Sequence, residues 1–390
     1  FSFLDGASHP EELVAEAARL GLEALALTDH HGFYGVVRFA EAARAVGLPT
    51  VFGTEVTLTP GLAPDERVAR AEEDTLAQVA TGRVPDHTAP DPHGEHLVLL
   101  AEGPGGYGRL ARALSLGHLA GEKSAPRFTL ADLAEVTAGS VWALTGCRKG
   151  AVNRALVEEG PAAARRELAR LVAAFGRDRV LVELWDHGDP TDSARNDALV
   201  EVAAGLGVDG VATNNCHYAT PAQRPLAAAL AAVRARRSLA ALDPWLPAAA
   251  TAHLRSGEEQ ARRFARYPGV VARAAEIGLA AAFDLGLVAP KLPPFPTPPG
   301  PDGRPMGEMA YLRRIVEDGA ARRYGARSAG SRAWATIDRE LAIIDHLGFA
   351  GYFLVVWDLV EFCRRNDILC QGRGSAANSA ADSSTTRLPI

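Results

Sequence analysis

Side chains able to bind a metal or move a proton recur beside short apolar runs of this sequence. ALALT (24–28) leads into Asp29, His30 and His31, and TVFGTEV carries Glu55. VWALTG (141–146) ends at Cys147, and RVLVELW (179–185) runs into Asp186 and His187. DGVATN (209–214) runs into Asn215, Cys216 and His217. Imidazole, carboxylate and thiolate together suit zinc, manganese or iron better than calcium. Each residue alone has a plainer reading. Most histidines are surface or satisfied core groups, a lone Cys147 is a small buried hydrophobe, and His187 in WDHGDP is a loop residue. The recurrence at the ends of several runs is what points to a metal site. His96 is the exception, because it opens the run HLVLLAE instead of closing one.

A second pattern could hold phosphate. In QGRGSAANS (371–379), Gly372 and Gly374 let backbone approach an anion, Arg373 adds charge and Ser375 a hydroxyl. Alone, such a tetrapeptide is an ordinary turn. Its place after the helical segment YFLVVWDLVEFCRR strengthens the phosphate reading.

The elements that must position these residues alternate. A helix, EELVAEAARLGL, is expected after Ser8 as N-cap, with Gly21 as its stop. The runs ALALT, TVFGTEVTL, HLVLLAE, VWALTG, RVLVELW and DGVATN read as buried strands. Helices VVRFAEAARAVG, GYGRLARALSL and PAAARRELARLVAAFG lie between some of them. Repeated βα units predict a parallel sheet, open or closed into a barrel, with its site at the carboxyl ends of the strands. Residues 60–95 read as an irregular insertion rich in Pro, Gly, Asp and Glu. A proline-dense connector at 286–305 separates domain 1–285 from the helical segments of 306–390.

The totals bound the class of protein without naming its chemistry. The chain has 390 residues, 47% of them hydrophobic, and a formal net charge of −6. That charge disfavours a small DNA-coating protein; basic residues need only line one groove of a large enzyme. The cysteines Cys147, Cys216, Cys363 and Cys370 form no CxxC pair, so no disulfide framework or zinc ribbon is suggested. No apolar run is long enough to cross a bilayer and no secretory signal opens the chain, so a cytoplasmic protein is expected.

FSFLDGAS, ALALTDHHGFYGVVRFAEAARAVGLPTVFGTEVTL, LTGCRKGAV and VATNNCHY resemble the PHP domain of DnaE-type bacterial DNA polymerases. LGFAGYFLVVWDLVEFCRRNDILCQGRGSAANS resembles the start of the palm of the same polymerases. The likeness covers 1–380, and TNN before CH, CQGRGSAAN and the Pro/Gly insertion look most like the error-prone branch. The resemblance implies a distorted (β/α) barrel of PHP type, followed by an incomplete, mainly helical start of a palm. It implies metal ligands at Asp5, His30, Glu55, His96, Cys147 and His217, with zinc or manganese in the barrel and magnesium for polymerisation. It also implies that Gly372, Arg373, Gly374 and Ser375 hold the triphosphate of an incoming nucleotide.

Two departures weaken the implied centre. The family's HxH pair precedes the FSFLDG motif and is not in this sequence, and a family carboxylate is replaced by Asn215. A divalent cluster needs negative ligands, so partial occupancy is expected and proofreading nuclease activity is not. The family's palm aspartates, in a PDIDLDF-like strand, are also absent, and the chain ends in ADSSTTRLPI. The expectation is a clipped product that does not polymerise alone. It would keep some affinity for primer–template DNA and dNTP through Arg364, Arg365 and Arg373, while Arg313, Arg314, Arg322 and Arg323 read as a solvated face. Family partners are a sliding clamp and SOS accessory proteins; no membrane is involved. The alternatives are a free-standing metal-dependent PHP phosphoesterase and a non-catalytic PHP scaffold.

Overall fold

The computed structural model describes residues 1–3, 5–58, 95–122, 125–235, 238–241, 251–288, 294–301, 303–328 and 331–370. The GRGS loop and the body of the 60–95 insertion lie outside the described residues. Two compact units divide the chain, Phe1–Ala289 and Pro290–Ile390.

In the first unit the elements run α1 (Pro10–Arg19), β1 (Leu25–His30), α2 (Val36–Val46), β2 (Thr50–Leu58), β3 (Glu95–Ala101), α3 (Gly103–Ala120), α4 (Leu130–Thr137) and β4 (Val141–Leu144). They continue as α5 (Ala151–Glu158), α6 (Pro161–Phe175), β5 (Val180–Leu184), α7 (Asp192–Ala204), β6 (Asp209–Ala212), α8 (Arg224–Ala235), α9 (Gly257–Arg263) and α10 (Val270–Ala281). The strands form one sheet in chain order. The all-parallel expectation needs correcting. β1 and β2 are parallel, as are β4, β5 and β6, but β3 runs antiparallel to both β2 and β4. A parallel neighbour requires a crossover, whereas Leu58 and Glu95 sit opposite each other across the β2–β3 pair.

The reversal of β3 explains the odd position of His96. The first residue of an antiparallel strand lies at the same sheet edge as the last residues of its parallel neighbours. His96 pairs with Thr57, two residues beyond Glu55 and on the same side of β2.

Both faces of the sheet are covered, which is why the strands read as continuous apolar runs. On one face Val51, Val98, Leu100, Leu144, Leu181 and Val211 pack with Ile277 and Ala281 of α10. On the other, Leu97, Leu99, Val182 and Leu184 pack with Leu110 of α3, Leu168 of α6 and Leu199 of α7. Each of these Val, Leu and Ile side chains contributes about 2 kcal/mol by leaving water.

Among the described residues β1 and β6 are not paired, and the segment from Asp5 to Ser8 spans the gap. The Ala7 N–H donates to the His217 carbonyl (2.7 Å), and the Ala219 N–H donates to Ser8 Oγ (2.8 Å). The result is a distorted barrel. Ser8 is therefore not the cap of α1. The helix starts at Pro10 with His9 as its cap, and the His9 N–H donates to Glu12 (2.7 Å). Ser8 instead donates to Gln223 Oε1 (2.7 Å).

In the second unit α11 (Glu308–Tyr324), α12 (Arg332–Leu347) and α13 (Ala350–Arg365) share a small core. Leu312 and Val316 meet Trp334, Ile337, Leu341 and Ile344, the last four at the helical spacing of one buried stripe. Among the described residues no single helix is long and apolar enough to cross a membrane.

Candidate metal centre

Strand alternation decides which of the candidate residues meet. Thr28 and His30 face one side of β1 and Asp29 the other; His30 is in register with Glu55. Asp29 is buried on the far side, where its carboxylate accepts the Gly35 N–H (2.7 Å) at the turn into α2. His31 turns away in a left-handed conformation (φ 57°), and its Nε2 accepts the Thr57 N–H (3.1 Å).

The inward residues converge. His96 Nδ1 lies 2.5 Å from Glu55 Oε1, and His30 Nε2 lies 3.8 Å from Glu55 Oε2. Cys147 Sγ lies 3.7 Å from Glu55 Oε1 and 3.8 Å from His96 Nδ1. Asp5 Oδ2 lies 3.2 Å from His30 Nε2 and 3.4 Å from His217 Nδ1. The six residues implied by the family resemblance are thus gathered at one edge of the sheet. Among the described residues, ligand atoms of His30, Glu55 and His96 all lie within 4.8 Å of one another. Two imidazoles and a carboxylate around one point, with a thiol alongside, are a donor set that fits a divalent transition metal.

The loop carrying Cys147 is tied to this edge. The His96 N–H donates to the Lys149 carbonyl (3.2 Å), and the Gly150 N–H closes a turn onto the Cys147 carbonyl (2.8 Å). A Cβ on Gly150 would overlap the Thr145 carbonyl, so the turn needs glycine there. Buried Asn153 donates to the carbonyls of Gly146 (3.1 Å) and Cys147 (3.2 Å).

The centre is strongly polarised. Burial alone would raise the Glu55 carboxyl, but His30 and His96 overcome it and hold the group down at about 2. Asp5 behaves likewise, burial being outweighed by His217 and His30. His30 is held above its ordinary value because Glu55 and Asp5 outweigh its burial. Burial, reinforced by Glu55, pushes the Cys147 thiol up. His31, buried and near His30 and His96, falls to about 4.

Other candidates have structural roles. His187 is buried rather than a free loop residue; its Nε2 meets the Asn214 carbonyl (2.7 Å). Asp186 accepts the Gly188 N–H (2.8 Å), and Cys216 is exposed. Asn215 lines the cavity and adopts a positive φ of 41°. Sequence reasoning missed Glu183. This carboxylate is 6% exposed and accepts a hydrogen bond from Thr213 Oγ1 (2.5 Å); burial pushes it up to about 7. A lone acid within the apolar run VLVEL was the available signal. Arg234 was missed too: from α8 it pairs with Asp5, its side chain 8% exposed.

A cavity of about 790 Å³ opens over the centre. Its walls include Leu156, Val157, Ala227 and Ala231, and Arg148, Lys149 and Arg224 add positive charge.

Parts of the chain match known protein families and relatives. Residues 1–187 match the PHP domain family, and residues 310–385 match the bacterial DNA polymerase III alpha NTPase domain. An error-prone DNA polymerase of Mycolicibacterium paratuberculosis is 52% identical over 381 residues, covering 97% of this chain and 32% of the relative. One from Nocardia farcinica is 49% identical over 400 residues, covering 97% of this chain and 34% of its own length. The chain therefore spans about a third of the length of these curated relatives. Among solved structures, an amidohydrolase from Chromobacterium violaceum with bound sulfate and no metal has 18% identity and a TM-score of 0.34, covering 55% of this chain and 84% of that one.

Proposed function

We propose that this chain, which carries a PHP domain and a bacterial DNA polymerase III alpha segment on one polypeptide, is the N-terminal part of an error-prone DNA-directed DNA polymerase. Its setting would be replication, translesion synthesis and repair of damaged DNA in the cytoplasm. One observation carries the reading: likeness to error-prone polymerases runs along 97% of the chain, through the connector and beyond the barrel. A free-standing PHP hydrolase would share the barrel alone. On this reading Gly372, Arg373, Gly374 and Ser375 hold the nucleotide triphosphate, with magnesium as the polymerisation metal. Primer–template DNA, a sliding clamp and SOS accessory proteins are the partners.

The test is primer extension by the native gene product, with its mass and both ends determined. It is expected to copy a primed template across an abasic site. The 390-residue chain should bind that DNA with an affinity that falls as salt rises, and add no nucleotide. The reason is that the sequence of residues 306–390 contains no PDIDLDF-like motif. Extension by the 390-residue chain, or none by the native product, overturns the reading.

The barrel is assigned one divalent ion, zinc or manganese, held by His30, Glu55 and His96 with Cys147 beside them. Such an ion, when bound, supplies Lewis acidity and an acidified water. Arg148, Lys149 and Arg224 on the cavity wall favour a phosphate ester as any substrate. Elemental analysis of the dialysed protein should show His96→Ala retaining metal at least about tenfold less tightly. Manganese-dependent phosphatase activity, lost in Cys147→Ala, would favour a hydrolase over a scaffold. Equal metal retention by parent and His96→Ala would remove the centre from this reading.

A further inference from the structure

The Asp5–His217 end of the centre already holds a cation, and that cation is a side chain. Asp5 divides its carboxylate: Oδ2 faces His30 (3.2 Å) and His217 (3.4 Å), while Oδ1 is bound by Nη1 of Arg234. Arg234 arrives from α8, whose Ala227 and Ala231 line the same cavity at positions seven and three residues earlier. That spacing puts all three on one helical face, and the small alanines let the helix lie close enough for the guanidinium to reach Asp5.

We propose that Arg234 is a built-in substitute for a second metal ion, so that the centre takes one divalent ion where its donors could bracket two. Only the first ion rests on the function proposed above; the role of Arg234 does not.

Charge supports the substitution. The carboxylates lining the cavity are Asp5, Glu55, Asp189 and Asp192, and Arg148, Lys149, Arg195, Arg224 and Arg234 face them, so the cations already match the acids. Asn215 lines the same space and contributes a neutral amide. A divalent ion against Asp5 would face the guanidinium across one carboxylate, while the cavity's Asp192 and Asp189 are already engaged by Arg195 and Thr191. A guanidinium is permanently charged, and its planar fork suits a carboxylate.

The experiment counts ions bound per chain by equilibrium dialysis with Mn²⁺, and separately with Zn²⁺, followed by elemental analysis. Parent, Arg234→Met and Arg234→Met/Asp5→Asn are compared. Arg234→Met is expected to bind one ion more than the parent, and the double variant to lose that gain. The parent count tests the His30–Glu55–His96 ion; the increment tests Arg234. A parent count of zero with a gain of one would remove the first ion and leave Arg234 in its role. No gain in a folded Arg234→Met protein overturns the proposal. So do two or more ions in the parent, whether or not the variants fold.

Discussion

Glu183→Gln is expected to raise the stability of the metal-free protein by about 3 kcal/mol at pH 8 and to leave it nearly unchanged at pH 4. The carboxyl is buried inside the barrel, and burial lifts it from 4.5 to about 7. The sign follows from proton counts. Between those values the unfolded chain has released its proton while the folded protein keeps it. Stability therefore falls as pH rises from 4.5 to 7 and stays lower above that. Glutamine carries no charge at any pH, and its amide oxygen can still accept from Thr213. Urea unfolding in EDTA at several pH values measures the difference. Parallel pH profiles for parent and variant would show that Glu183 is ionised in the fold. Glu55 has the opposite sign. Its depressed value adds stability that is present above 4.5 and lost as pH falls through about 2.

Arg255→Met is expected to cost about 3–5 kcal/mol, because it leaves buried acceptors unpaired. The Arg255 side chain is fully buried. Its Nη1 donates to the Asp186 carbonyl (2.8 Å) and to Asn214 Oδ1 (2.6 Å), and its Nη2 donates to the Thr251 carbonyl (3.0 Å). One guanidinium thus joins the ends of β5 and β6 to the 251–255 segment. That segment receives the His217 N–H on the Ala252 carbonyl (2.8 Å). Hydrogen exchange should quicken at His217 and Tyr218 in the variant. A loss below about 1 kcal/mol with unchanged exchange would show that Arg255 is dispensable.

The strands were legible because buried strands leave unbroken apolar runs, and all of the runs ALALT, TVFGTEVTL, HLVLLAE, VWALTG, RVLVELW and DGVATN contain or overlap observed strands. The direction of β3 was not legible, since alternation looks the same in either direction. Its trace was the misplaced His96. Histidines at strand ends could be listed from sequence, but separating His30 from Asp29 and His31 required knowing where β1 stops. Ser8 looked like a helix cap because caps are local, yet its partners are Ala219 and Gln223, more than two hundred residues away. Arg234 left no signal at all. It ends an alanine-rich helix, and its meaning comes from Asp5 at the far end of the unit. His187 read as a loop residue because its burial depends on Asn214, which follows the neighbouring strand β6.

The antiparallel pairing of β2 with β3 bears on how this barrel can be re-engineered. Leu58 and Glu95 face each other as partners, so whatever joins them leaves and returns at neighbouring points. Closing a flexible connection costs little more as it lengthens, about 0.6 kcal/mol per doubling. The β2–β3 junction is therefore a docking port for a guest domain, a reporter or a protease site. It could equally be trimmed to a hairpin turn while His96 stays in register.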